Sequence, residues 1–403
     1  MRKQKLLSAA KVPKRQYKYL YKKMLEDSTI RQAWKNLRKG KTKRKAVIKI
    51  ENNFENAVKR MHDMILNTKP CEVEHPELAY SPPKVRKTKI VHETTKQRTA
   101  YLADIWEQWY FHIIVEVLKP IIMPRLEKGV CGCIPGRGMH SGKKIVEKAI
   151  RKGRCIRYFF KCDIRHFYAN IRVEYVIQQM RTLIADEWFL YCISVIYKYQ
   201  KKGILIGLYI SPWISNFLLM DLDKTLKDNG LLAIRYVDDI VVFANSKKVL
   251  HEASVLIRQI LGGLRLKLKR TFQVCKFDYI TNKTKTIKGM EVNIRIGRPL
   301  DFLGFLFFRD KTVLRKHILL DTVRTAKRIY KAKIQGKRTY NKLARSFVSR
   351  LGWFKHTDTY YIYLDKIKPY VKVKYIKKII SKLDKEANKN DKRLENRTLC
   401  YTT

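Results

Sequence analysis

The chain has 403 residues, enough for two or three subdomains, and its 45% hydrophobic and 11% aromatic content excludes a disordered tail or linker. Lys and Arg number 88 against 35 Asp and Glu, a formal net charge of +53 that would drive self-repulsion unless a polyanion neutralises it. The excess runs through the whole length and is not confined to one amphipathic helix, so nucleic acid is the expected partner and an anionic membrane surface is not. The eight cysteines contain no CxxC pair and no zinc-type His spacing, so neither a structural zinc nor a disulfide framework is expected. Residues 1–15 are basic without an apolar run, and no apolar stretch reaches spanning length, so the expectation is a cytoplasmic protein without a membrane contact.

In chain order, residues 1–80 read as a basic helical N-terminal extension, with Tyr17, Tyr21, Leu25 and then Phe54, Val58, Met61 and Ile65 at helical spacing. Pro82 and Pro83 break that pattern, and Val85 to Val91 reads as an exposed strand that opens a second segment, residues 81–162. Ile105, Trp109, Ile113 and Val117 recur every four positions and predict an amphipathic helix from Asp104 to Lys119, stopped by Pro120. A glycine-dense loop, Gly132 to Gly142, then opens a basic helix near Lys143. Its Gly136, Arg137 and Gly138 would let backbone amides approach phosphates, although a plain structural turn accounts for the same glycines.

Arg157 to Ile164 is a buried-type strand that ends in Asp163, and Arg235 to Phe243 is apolar on both sides of Asp238 and Asp239, the pattern of a hairpin with carboxylates at its turn. The intervening residues read as helical. Leu300 to Phe308 gives a further strand pair, and Asp321 to Ile334 and Tyr340 to Arg350 return to basic helix, so that 163–310 and 311–403 form the third and fourth segments.

Adjacent carboxylates flanked by Ile, Val and Phe raise each other's pKa and destabilise a fold unless a cation neutralises them. Alone, Asp238-Asp239 would be an ordinary polar turn. With Asp163 at another strand end, three carboxylates can hold two Mg²⁺ ions about 4 Å apart, an arrangement suited to phosphoryl transfer.

These residues resemble the reverse transcriptases. Tyr236-Val-Asp-Asp239 is similar to the YxDD signature, Cys162-Asp-Ile-Arg-His-Phe-Tyr168 to the first palm motif, and Ile206-Gly-Leu-Tyr-Ile-Ser-Pro-Trp-Ile-Ser-Asn216 to the GxxxSPxxSN motif between them. Gly136-Arg-Gly138 resembles the fingers-side template motif, Lys96 to Arg98 the basic fingers segment, and Phe302-Leu-Gly304 the primer-grip turn. The resemblance spans residues 85 to 355 and implies an α+β right-hand polymerase: fingers over 81–162, palm over 163–310, and a helical basic thumb with C-terminal tail over 311–403.

The resemblance further implies a role for each residue. Asp163, Asp238 and Asp239 would be catalytic, holding two Mg²⁺ ions (Mn²⁺ as substitute) with the help of Ile164. Tyr168, five residues after Asp163, would gate against a ribose 2′-hydroxyl, and Arg98 and Lys96 would contact the incoming triphosphate. Gly207 and Ser211 would let the nascent pair approach the backbone. Gly136, Arg137, Gly138, Asn216, Leu303 and Gly304 would lie along template and primer. Implied partners are a structured RNA template, the DNA product, dNTPs, and an accessory protein or second copy.

Neither an HNH nuclease pattern nor an RNase H carboxylate set is visible, which implies the bacterial stand-alone class. Within it, Leu303 to Arg315 resembles the defence-associated and diversity-generating groups, with antiviral defence the first expectation and a diversity-generating retroelement the second. Two alternatives remain: an idle RNA-binding scaffold, which has no need of three mutually repelling carboxylates, and an RNA-templated RNA polymerase or template-free transferase, with Tyr168 arguing for deoxynucleotides.

Overall fold

The computed structural model of the chain describes residues 16–92, 97–151, 156–200, 202–287, 290–337, 339 and 341–399. From the N-terminus, helices α1 (Leu20–Leu25), α2 (Asp27–Arg38), α3 (Lys45–Glu51) and α4 (Phe54–Leu66) precede a hairpin of β1 (Thr88–His92) and β2 (Gln97–Tyr101). Helix α5 (Ile105–Ile122) leads to β3 (Val130–Cys131), α6 (Met139–Arg151) and β4 (Tyr158–Asp163). Helices α7 (Phe167–Asn170), α8 (Val173–Arg181), α9 (Glu187–Val195), α10 (Ser211–Leu218) and α11 (Met220–Asp228) separate β4 from the hairpin of β5 (Leu232–Tyr236) and β6 (Asp239–Ala244). Next come α12 (Lys247–Gly263), β7 (Gln273–Lys276), a ribbon of β8 (Tyr279–Ile287) and β9 (Met290–Ile296), and three short strands, β10 (Leu300–Phe302), β11 (Phe305–Phe307) and β12 (Thr312–Leu314). Helices α13 (Lys316–Ile334), α14 (Asn341–Phe354), α15 (Tyr360–Lys366) and α16 (Val373–Leu399) follow.

The described residues form two compact units, one of the chain up to Gly138 with Phe160–Val274, the other of Met139–Phe159 with the chain from Cys275 onward. Helix α5 is the spine of the first unit. Asp104 caps it by accepting from the amides of Trp106 and Glu107. Trp109, Tyr110, Phe111, Ile113, Ile114, Val115 and Leu118 are all fully buried, so the helix is enclosed and not merely amphipathic. Pro120 does not end it, contrary to the sequence expectation: the helix continues through Ile122, because burial of Ile121 and Ile122 offsets the one hydrogen bond that proline removes. The N-terminal helices close over this spine. Trp34 meets Trp109 at 4.7 Å between ring centroids, the Trp109 indole donates to the Ile30 carbonyl at 2.9 Å, and the Tyr21 hydroxyl donates to the Ile65 carbonyl at 2.7 Å.

A five-stranded sheet carries the order β3-β5-β6-β4-β7, which sets the end of β4 beside the turn between β5 and β6. Strands β5 and β6 are antiparallel, with Tyr236 opposite Asp239, and β3 runs parallel to β5, with Cys131 opposite Tyr236.

In the second unit, β10, β11 and β12 form an antiparallel sheet. Glu147 of α6 ties to it by accepting from the Thr312 hydroxyl and the Lys143 ammonium, each at 2.7 Å. Strands β8 and β9 form a separate two-stranded ribbon whose base is anchored at buried Asp278, which accepts from Arg295 and from the Arg309 amide. The cysteines at 71, 131, 133, 162, 192 and 275 are free, and no described helix is long and apolar enough to cross a membrane.

His112 lies on the spine, 6% exposed, stacked on Tyr209 at 3.7 Å, and its Nδ1 is buried without a hydrogen-bond partner. Burial, followed by the nearby Lys41 ammonium, pushes its pKa from 6.5 down to about 3. The folded imidazole therefore stays neutral where the unfolded one charges. Its contribution is whole above pH 6.5 and is lost as pH falls toward 3, by up to about 1.4 kcal/mol per pH unit. His112→Phe is expected to flatten the acid limb of stability between those values in urea unfolding run at a series of pH; an unchanged slope would remove His112 from the account.

Candidate active site

Strand β4 ends at Asp163, and the next residue, fully buried Ile164, donates its amide to the Asp238 carbonyl at 3.1 Å. That bond draws the two strand ends together and sets Asp163 near Asp238. On the other side Lys269 donates its amide to the Asp163 carbonyl at 2.8 Å, and its ammonium reaches Asp163 Oδ2 at 2.6 Å. The other carboxylate oxygen, Asp163 Oδ1, is buried without a hydrogen-bond partner. Asp239 belongs to β6, and its Oδ2 lies 3.7 Å from the Lys161 ammonium.

The electrostatics follow from this placement. Asp238 is held above the usual carboxylate range, first by burial and then by the negative charge of Asp163, while Lys269 and Arg98 pull it back. The Cys162 thiol, one residue before Asp163, is pushed far up by burial and then by Asp239 and Asp163. Exposed Arg98 on β2 thus acts on the same cluster. Tyr168 is pushed up to about 12 by burial and feels both Asp238 and Arg98, while its phenol shares a hydrogen bond with the Ser215 hydroxyl. Asp163, Asp238, Arg98 and Tyr168 are therefore brought to one place.

Among the described residues no group of three or more His, Cys, Asp or Glu side chains is arranged to hold a metal ion. An open carboxylate pair still fits Mg²⁺, which is bound through one or two carboxylates together with substrate phosphates and not by an all-protein cage. The undonated Oδ1 of Asp163 is the acceptor such an ion requires, and the Lys269 ammonium holds a positive charge beside it.

The hairpin turn itself is strained. Val237 and Asp238 form a two-residue loop with Val237 at φ 58°, in the position where hairpins favour glycine, and a β-branched residue there costs about 1–3 kcal/mol. Its amide donates to the Cys131 carbonyl at 3.3 Å. A Cβ on Gly132 would stand 2.9 Å from Val237 Cγ2, so glycine there lets β3 close against the turn.

Several residues that the sequence placed at the substrate face inward. Ser211 is fully buried, donating to the Leu205 carbonyl at 2.7 Å and bonded to the Tyr197 hydroxyl at 3.0 Å. Asn216 is 1% exposed, its amide donating to the Gly132 carbonyl and its oxygen accepting from Arg235. The side-chain polar atoms of both are engaged within the protein, so any approach of nucleotide or nucleic acid at these positions would be to the backbone. Gly207, at φ +106°, approaches β2 instead: an added Cβ would lie 2.4 Å from the Tyr101 carbonyl oxygen.

Arg137 donates to the Leu126 and Glu127 carbonyls, which secures the loop, whereas Gly136 and Gly138 face open space. In the second unit, Leu303 and Gly304 make the two-residue turn between β10 and β11, at φ 56° and 85°. Leu303 is 8% exposed, and Gly304 faces the Trp353 ring, 2.4 Å from an added Cβ, so this turn too packs on protein. Lys96 lies outside the described residues. The sequence did not single out Lys161, Lys269, Asp223 or Arg235 for the site. The signal for Arg235 was present, since a charge inside an apolar strand requires a buried partner.

Two carboxylates thus meet where β4 ends beside the β5–β6 turn, and the chain belongs to the reverse transcriptase (RNA-dependent DNA polymerase) family, whose model matches residues 85–306. Its fold is therefore the α+β right-hand polymerase class, and the family's chemistry is RNA-directed nucleotidyl transfer. Among solved structures the chain is similar to apo telomerase from Candida tropicalis truncated from its C-terminal domain, at 13% identity and TM-score 0.36, over 52% of this chain and 53% of that one. It is also similar to telomerase from Candida tropicalis in complex with the TWJ fragment of telomeric RNA, at 10% identity and TM-score 0.43, over 72% of this chain and 55% of that one. The chain thus spans just over half the length of these two chains. No curated protein matches it.

Gly207→Ala is expected to cost about 2 kcal/mol or more, because both the left-handed φ and the Tyr101 carbonyl oppose a Cβ. Thermal unfolding checks this, and an unchanged midpoint would mean that the loop moves aside at no cost.

Proposed function

We propose that the chain is an RNA-directed DNA polymerase that copies a structured RNA template into DNA at Asp163, Asp238 and Asp239. The observation that carries this reading is the convergence of Asp163 and Asp238 at adjoining strand ends with Asp163 Oδ1 buried and undonated, in a chain of this family. Asp163 and Asp238 would hold two Mg²⁺ ions, with Ile164 beside them and Asp239 acting through the local field. Bound there, the ions would lower the pKa of the primer 3′-hydroxyl and neutralise the triphosphate and departing pyrophosphate.

The protein's own groups supply the rest. Arg98, exposed and close enough for its charge to act on Asp238 and Tyr168, would fork onto triphosphate oxygens. Tyr168 presents an aromatic ring beside the same carboxylates, where it would exclude a ribose 2′-hydroxyl. The net charge of +53 suits a duplex of RNA and DNA. For biological role we propose a stand-alone bacterial enzyme of antiviral defence that works with its own structured RNA, with a diversity-generating retroelement as the second reading, since Leu303 to Arg315 resembles both groups.

Asp238→Asn removes a ligand charge without changing shape. It is expected to leave the circular dichroism spectrum unchanged and to reduce single-nucleotide extension with Mg²⁺ by about 10³-fold or more, the several kcal/mol such charge stabilisation supplies. Extension at the wild-type rate would sink the assignment. Tyr168→Val is expected to lower the dNTP over rNTP preference by at least about tenfold, chiefly through better ribonucleotide use, in extension assays with each triphosphate. A preference that the variant keeps would make Tyr168 a packing residue.

A further inference from the structure

We propose that Arg235, together with Asp223 and Asn216, is a buried clamp that holds the strained Val237 turn and thereby positions Asp238. It deepens the proposed function, since it rests on the reading of Asp238 as a metal ligand.

The clamp is built from one guanidinium. Arg235 sits on β5, 2% exposed, two residues before Val237. Its Nη1 donates to the Val237 carbonyl at 2.8 Å and to Asn216 Oδ1 at 3.0 Å. Its Nε and Nη2 donate to both oxygens of Asp223 on α11, the shortest at 2.6 Å, and Asp223 is itself 7% exposed. Asn216 in turn donates to the Gly132 carbonyl at 3.3 Å, the residue that closes against Val237 from the β3 side. All of these groups belong to one compact unit.

A β-branched residue leaves the left-handed region unless the surroundings over-determine it. Here the Val237 amide is held by Cys131, its carbonyl by Arg235, and the next carbonyl, that of Asp238, by Ile164. Cys131 and Ile164 contribute backbone bonds that any residue could supply. Arg235 contributes the one side-chain bond, and its planar fork lets it reach a carboxylate and a carbonyl at once. A lysine would keep the charge opposite Asp223 but could not hold both. The clamp touches no substrate, and its effect is the direction in which Asp238 points, where an error on the order of 1 Å costs about 10²-fold in rate. The GxxxSPxxSN segment thereby acts on the catalytic turn from inside the fold, through Asn216.

The experiment compares Arg235→Lys in two backgrounds, the wild type and Val237→Gly, because glycine adopts a positive φ without support. Steady-state single-nucleotide extension gives kcat and KM for dNTP, and thermal unfolding checks the fold. In the wild-type background Arg235→Lys is expected to lower kcat about 30-fold or more with KM within about threefold. In the Val237→Gly background the same substitution is expected to lower kcat less than about threefold, whatever the rate of that background itself. An equal loss in both backgrounds, or a loss that lies in KM, overturns the clamp. Should Arg235→Lys fail to fold, Asn216→Ala, which leaves the Arg235–Asp223 pair in place, is run in the same two backgrounds and judged by the same coupling. Asp238→Asn separates the two ideas: if it keeps its activity the reading of the site fails, whereas if it is dead and the coupling is absent, only the clamp fails.

Discussion

Mutual repulsion of carboxylates is the constraint from which the first unit is organised. Two unit charges 4 Å apart at an effective dielectric constant of about 20 interact by about 4 kcal/mol, a large fraction of a domain's whole stability. The fold meets this by setting positive charge against each carboxylate: the Lys269 ammonium on Asp163, the Lys161 ammonium near Asp239, and the charges of Lys269 and then Arg98 acting on Asp238. The neutralisation is partial, since Asp238 stays above the usual carboxylate range and one oxygen of Asp163 has no donor. Full neutralisation by protein would leave nothing for a metal and its phosphates to satisfy. The unmet demand lies at Asp163 Oδ1 and at Asp238.

Direction matters as much as charge. Asp238 occupies a two-residue turn, and neighbouring residues in such a turn can point to different sides, which is how adjacent carboxylates reach different cations. The strain at Val237 is maintained by groups that are themselves buried: Gly132 lets the neighbouring strand close in, and Arg235 anchors the turn's carbonyl. Breaking such a buried pair by removing one partner is strongly destabilising, so the clamp stays in place once formed. The positive charge of Arg235 is thus structural, unlike most of the basic residues that give the chain its net charge.

The sequence made the centre of the site legible and its surroundings less so. The strand ending at Asp163 and the hairpin around Asp238-Asp239 could be read because a charge in an apolar run is rare and period-two patterning locates it. The enclosing helices could be read from the spacing of Trp109, Ile113 and Val117. Pro120 misled, because a local rule about proline was overridden by the burial of Ile121 and Ile122, a tertiary effect invisible to pattern. The β8–β9 ribbon left no clear signal, as its Lys and Thr residues face solvent on a two-stranded element without a one-sided core. Lys269 was not singled out, because alternation along a chain reports which face a residue takes but not which charge waits opposite.

Ser211 and Asn216 show a different limit. A motif in which polar residues recur at fixed spacing invites the conclusion that each of them touches the substrate, since polar side chains are expensive to bury. The expense vanishes once every donor and acceptor is matched inside, as it is for the Ser211 hydroxyl with Leu205 and Tyr197 and for the Asn216 amide with Gly132 and Arg235. Such residues are as constrained as catalytic ones, because replacing either leaves a buried partner unmatched at about 1–3 kcal/mol. A motif therefore marks positions where exchange is costly, and cost arises from internal matching as readily as from chemistry. Asn216 joins the two: its partners are Gly132 and Arg235, the residues that bear on the turn carrying Asp238.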